Sequence, residues 1–239
     1  MFFQAVSATV KRSSGPPPSG PIAFRDATAT CLPNIIFESG SPAVIDLPDT
    51  ATSGDFVMVI LSYDSSTTSD IVSASGWTKL THVGDATPDA QFDIFYRIFN
   101  GTEGSTASFE PNGVLFTRDV YGYSFIVDYI DTANPFVLGT SNQCAICSTL
   151  DVTGITAPSD GRVLSVMATD GGDNNPFTIT SGWTVLVDED CDSTSSGLGT
   201  HISYKDVASG AASGTLTYTM VAGASADGIA AVQVFMKQA

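Results

Sequence analysis

Glu, Lys and Leu, the common helix-forming residues, are scarce in this 239-residue chain, while Ser and Thr together exceed a fifth of it. That composition excludes a helical bundle and favours strands joined by turns. Basic residues are also few: 9 Lys and Arg stand against 25 Asp and Glu, for a net charge of −16. Phosphate recognition needs a Lys/Arg surface, so nucleic acid is excluded as a partner. No apolar run approaches the ~18 residues that cross a bilayer; the longest extends from Phe56 to Leu61. Met1-Phe2-Phe3 and Gln4 precede the cations Lys11-Arg12, the reverse of the order in a secretory signal. The expectation is a soluble protein with an intact N-terminus and no membrane partner.

Histidine and cysteine are sparse too. His82 and His201 lie in no nucleophile motif, and Gly223-Ala224-Ser225-Ala226-Asp227 departs from the G-x-S-x-G elbow at its last position. No phosphate loop of the Gly-Lys-Ser/Thr kind occurs. With four Glu and many Asp, the acids read as turn chemistry, in which Asp bonds its own backbone. No catalytic residue is assigned, and the chain is expected not to be an enzyme. The cysteines Cys31, Cys144, Cys147 and Cys191 are too few for a disulfide-built scaffold of this length. Cys144-Ala-Ile-Cys147 has redox or zinc spacing but no clear second pair of ligands. The favoured reading is isolated thiols in a linker and loops; bridges between Cys31 and Cys191, or within the Cys-x-x-Cys, stay open.

What the chain does have is an internal repeat. Gly54 to Asp64 aligns with Asp160 to Asp170, and at the same offset Ser75-Gly76-Trp77-Thr78 matches Ser181-Gly182-Trp183-Thr184. With two inserted residues, Ile94-Phe95-Tyr96-Arg97 matches Ile202-Ser203-Tyr204-Lys205. Trp77, Trp183, Tyr96 and Tyr204 are the anchors of the repeat. The two tryptophans could stack on a sugar, but their equivalent places favour packing. Within each copy the hydrophobic period is two, as in Phe92, Ile94, Tyr96 and Ile98, which marks half-buried strands. Phe56–Leu61 is apolar on both faces, as a covered central strand would be. Asn100-Gly101 is expected to form a tight hairpin turn rather than a glycosylation site. The fold class is all-β: a tandem duplicated β-sandwich or jelly roll, with five to six strands per copy, preceded by an extended N-terminal arm. One long jelly roll and two packed sandwiches remain alternatives.

The arm is placed at residues 1–30, the first sandwich repeat at 31–135, and a linker with the second repeat at 136–239. Ser13 to Pro21 is rich in Pro, Ser and Gly and cannot build a core, so it reads as an extended linker. Residues 1–25 carry Lys11, Arg12 and Arg25 with no acid, leaving a body of −19 behind a tether of +3. Met1, Phe2 and Phe3 form an apolar tip, and with Lys11 and Arg12 they are the candidate assembly residues. Asp170, Asp173, Asp188 and Asp190, on acidic loops, are weak candidates for a structural Ca²⁺, which takes six to eight oxygens. Otherwise no cofactor is expected.

The Gly-Trp-Thr turn, the strand ending in Tyr-Arg or Tyr-Lys, the Gly104-Ser105 turn, the strand Thr106 to Phe109 and the apolar closing strand Phe125 to Ile130, with their second-copy partners, resemble β-sandwich structural proteins of tailed-phage virions. The resemblance covers residues 40–239. It implies a non-enzymatic component at the virion surface, made in the host cytoplasm, as a head decoration (cement) subunit or a tail appendage. It also implies a homo-oligomer and contacts with other virion proteins. The alternative is an adhesin or carbohydrate-binding module that meets a host surface glycan. In the favoured expectation the cationic arm is drawn to the acidic body of a neighbour.

Overall fold

The computed structural model describes residues 20–36, 40–64, 71–72, 75–84, 90–111, 117–145, 147–170, 177–191, 197–220 and 228–239. Among these there is no helix, and so none that could cross a membrane. The first half supplies β1 (Ala23–Ile36), β2 (Ala43–Asp46), β3 (Phe56–Asp64), β4 (Ile71–Val72), β5 (Thr78–Val83), β6 (Ala90–Ile98), β7 (Thr106–Pro111) and β8 (Thr117–Asp128). The second supplies β9 (Phe136–Leu138), β10 (Asn142–Cys144), β11 (Thr149–Val152), β12 (Gly161–Asp170), β13 (Phe177–Ile179), β14 (Thr184–Asp190), β15 (Gly199–Val207), β16 (Leu216–Met220) and β17 (Gly228–Lys237).

Two large antiparallel sheets, β1-β8-β3-β6-β5 and β10-β17-β12-β15-β14, are accompanied by two small ones, β2-β7-β4 and β11-β16-β13. Adding nine to every label turns the first pair of sheets into the second, so both halves share one topology. β9 pairs with β17 beside β10, and these two short strands occupy the edge that β1 fills alone. The order 1-8-3-6 facing 2-7-4 is that of a jelly roll whose fifth strand has joined its sixth. The molecule is therefore two jelly rolls, each closed on itself. Among the described residues, eight strands in the first half and nine in the second replace the expected five to six per copy, because strands as short as β2 or β13 carry too few residues to show a period.

The large sheets face each other and the small sheets cover their outer faces, giving four layers. In β3, Met58 and Ile60 point into a shared core with Leu164, Val166 and Val234, while Val57, Val59 and Leu61 point outward onto Ile45, Phe95 and Phe109. β12 repeats this, with Leu164 and Val166 inward and Val163 and Met167 outward. Both strands are covered on two sides, which explains the run that is apolar on both faces.

The repeat anchors have physical roles in both copies. Gly76 and Gly182 adopt φ of 86° and 90°, a left-handed turn that suits glycine. The turn delivers Trp77 to the outer core against Phe99 and Phe109, and Trp183 to the equivalent outer core. A β-bulge follows at the same place in each copy, between Lys79 and Thr81 and between Val185 and Val187. Even one polar contact recurs: Ser124 Oγ donates to Asp46 O at 2.7 Å, and Gln233 Nε2 to Val152 O at 3.3 Å. Tyr96 and Tyr204 take part in reciprocal aromatic contacts across the halves. Phe24 of β1 meets Tyr204 edge-on at 5.3 Å, and Arg162 lies 4.1 Å over the Tyr204 ring. Phe136 of β9 meets Tyr96 at 5.1 Å and Phe56 at 5.8 Å.

Three expectations are corrected. The body begins before residue 31: Ile22 is 2% exposed in the shared core, and β1 starts at Ala23. Asn100-Gly101 is not a hairpin, because β6 and β7 belong to different sheets. Instead the Glu103 carboxylate accepts from the backbone of Asn100, Gly101 and Thr102 and pairs with Arg97 at 2.8 Å, organising a crossover loop. Finally, Cys31 and Cys191 are not isolated thiols. They form a disulfide between the two jelly rolls, with Cα atoms 5.2 Å apart across 160 residues of sequence.

Candidate functional site

β1 and β14 are edge strands of the two facing large sheets. Between them a groove of about 500 Å³ opens toward the shared core. Tyr121 and Tyr123 of β8 lie along it, because alternation places both on the face turned toward the second jelly roll. Ala29 and Cys31 of β1 line it, as do Leu186 to Asp190 of β14. The bridge from Cys31 to Cys191 ties the two sides together.

The groove is electronegative. Burial first, then the charges of Asp188 and Glu189, push the Asp190 carboxyl up to about 6. Burial raises the Tyr121 phenol, helped by Glu189 and then Tyr123, and burial alone raises Tyr123. Tyr121 is 3% exposed, and its hydroxyl has no hydrogen-bond partner among the described residues. Asp188 Oδ1 lies 3.2 Å from His201 Nδ1, whereas Glu189 and Asp190 have no ion-pair partner among the described residues. Among the described residues no Lys or Arg lines the groove.

Each jelly roll also holds a histidine–aspartate pair across its fifth and sixth strands. His82 stands opposite Asp93 and Asp188 opposite His201, at equivalent registers with the two residue types exchanged. His82 Nδ1 is 3.5 Å from Asp93 Oδ1, which also pairs with Lys79 at 3.2 Å, and Tyr63 Oη donates to Asp93 Oδ2 at 3.0 Å. Polar pairs directly across a ladder stabilise the pairing of edge strands. A His–Asp pair is the orienting half of an acyl-transfer triad, but His201 Nε2 has no partner among the described residues and thus no hydroxyl to activate there.

The residues singled out from sequence are dispersed. Asp188 and Asp190 lie two apart on β14 and line the groove, while Asp170 ends β12 and is buried. Asp173 lies outside the described residues, as do Met1, Phe2, Phe3, Lys11 and Arg12. Among the described residues no three His, Cys, Asp or Glu side chains form a group that could hold a metal. Cys144 and Cys147 are free and half-buried against the outer core of the second jelly roll. Burial, then the hydrogen bond and charge of Cys144, push the Cys147 thiol up to about 12. Sequence reasoning missed Tyr121 and Tyr123; their alternation was visible, but what they face was not. No family model, curated protein or solved structure matches the chain.

Proposed function

We propose that this protein is a non-enzymatic structural subunit of a tailed-phage virion, carried on the particle surface as a head decoration subunit. The observation that supports this most is the union of two jelly rolls into one body, packed through their large sheets and bridged by Cys31–Cys191. Jelly rolls recur among viral capsid proteins, a likeness of fold alone. Disulfides persist at virion surfaces and not in a reducing cytoplasm, so a chain made in the host cytoplasm closes its bridge after release. A rigid acidic body on a cationic tether suits cementing a lattice, with further copies and neighbouring virion proteins as partners. Trp77 and Trp183, which a glycan-binding role would use for stacking, pack into the outer cores.

A reconstruction of purified particles tests the proposal, with density for this fold expected on the head lattice. Deleting residues 1–19, which spares the buried Ile22, is expected to abolish incorporation while leaving the melting temperature of the purified protein unchanged. Density on the tail, density in no particle, or incorporation untouched by the deletion would count against the placement or the anchoring role. Alkylation is expected to find two free thiols per chain in particles, at Cys144 and Cys147, and four in freshly lysed cells.

A further inference from the structure

We infer that the groove between β1 and β14 receives the Lys11-Arg12 segment of a second copy of this chain. The inference rests on the assembly role proposed above and names the contact that would perform it. Among the described residues, Glu189 and Asp190 carry carboxylates without ion-pair partners, on a groove lined by no Lys or Arg. The Tyr121 hydroxyl, on a side chain 3% exposed, lines the same groove and has no partner among the described residues. Guanidinium and ammonium groups suit such a groove: they donate to carboxylates and to a phenol oxygen, and they can lie against tyrosine rings.

The occupant follows from the distribution of cations in the chain. Of its nine basic residues, Arg25, Lys79, Arg97, Arg162 and Lys237 are ion-paired within the body, Lys205 donates to Ser213 O, and the Arg118 side chain lies outside the described residues. Lys11 and Arg12 are adjacent in the sequence, follow the apolar Met1-Phe2-Phe3, and lie outside the described residues. Reach then separates the chain's own arm from a neighbour's. From Arg12 to Gly20 the backbone spans at most about 29 Å. From Gly20 to Ala29 the extended strand already covers roughly 30 Å. A chain binding its own arm would have to reverse direction and still arrive fully stretched, through three successive prolines. An arm from another copy needs no reversal.

Sedimentation velocity of the full-length protein over a concentration series reads this directly. The wild type is expected to self-associate at about 50 mM salt, with at least tenfold weaker association at 500 mM salt. K11A/R12A, E189Q/D190N and Y121F are each expected to weaken association without lowering the melting temperature, the two charge variants by tenfold or more. The exposed single variant E189Q serves if the double variant is poorly folded. K11E/R12E and E189K/D190K, each monomeric alone, are expected to associate when mixed, because each arm then meets an oppositely charged groove. A wild type that stays monomeric, or association indifferent to the groove variants, overturns the inference. Association that behaves as described, in a protein absent from particles, would instead leave the contact standing and sink the virion role.

Discussion

At the scale of single residues, charge rather than shape distinguishes the groove. The fold holds the Asp190 carboxyl at about 6, above its ordinary value of 3.8, mainly through burial. A raised carboxylate favours the protonated state in the fold. Its stabilising contribution is complete below about pH 4 and is lost as pH climbs through 6, leaving a cost at neutral pH. Asp190→Asn keeps the shape and removes that cost. Urea unfolding at pH 7 should show the variant more stable by about 1 kcal/mol or less, since the half-buried side chain is partly screened by water. At pH 4 the gain should vanish. An equal gain at both pH values would show that the ionisation of Asp190 is not its source. In the Asp188-Glu189-Asp190-Cys191 run, acidity was plain in the sequence. The reason it matters, a facing pair of tyrosines from 65 or more residues away, was not legible there.

At the scale of elements, the reciprocal aromatic contacts hold the halves together. Phe24 extends from β1 onto Tyr204 and Arg162, and Phe136 extends from β9 onto Tyr96 and Phe56. Neither phenylalanine lies within the aligned motifs that revealed the repeat. They become equivalent only through register, Phe24 opposite Val127 and Phe136 opposite Met236. Phe24→Ala should lower the unfolding free energy by about 2–3 kcal/mol, less than for a fully buried phenylalanine because the ring is only partly covered. Urea denaturation measures this, and a loss below about 0.5 kcal/mol would show the contact to be superficial. The matching bulges of β5 and β14 belong at this scale too, since they re-aim the strand after each Gly-Trp-Thr turn.

At the scale of the molecule, two halves of one topology pack together, with each jelly roll covering the other's large sheet. The shared apolar core supplies the contact, and the disulfide limits separation of the halves on unfolding. Because Cys31 and Cys191 are 160 residues apart, the bridge constrains a long loop of the unfolded chain. The double variant C31S/C191S should fold to the same secondary structure and lose about 3–5 kcal/mol of stability, read as a lower urea midpoint. Unchanged stability would mean that packing alone fixes the pair. The double variant is preferred to either single one, which would leave a reactive partner thiol.

The sequence by itself determined the all-β class, the two copies, the turn glycines at Gly76 and Gly182 and the double-sided burial of Phe56 to Leu61, because a period of two and a left-handed turn are local requirements. Tertiary structure alone decided that there are two closed jelly rolls, that their large sheets meet, that Cys31 finds Cys191, and that Tyr121 and Tyr123 look across at an acidic edge strand. These are pairings between residues far apart in sequence. They are chosen by which apolar faces can exclude water together, and alternation within a strand says which residues share a face but not which sheet that face will meet.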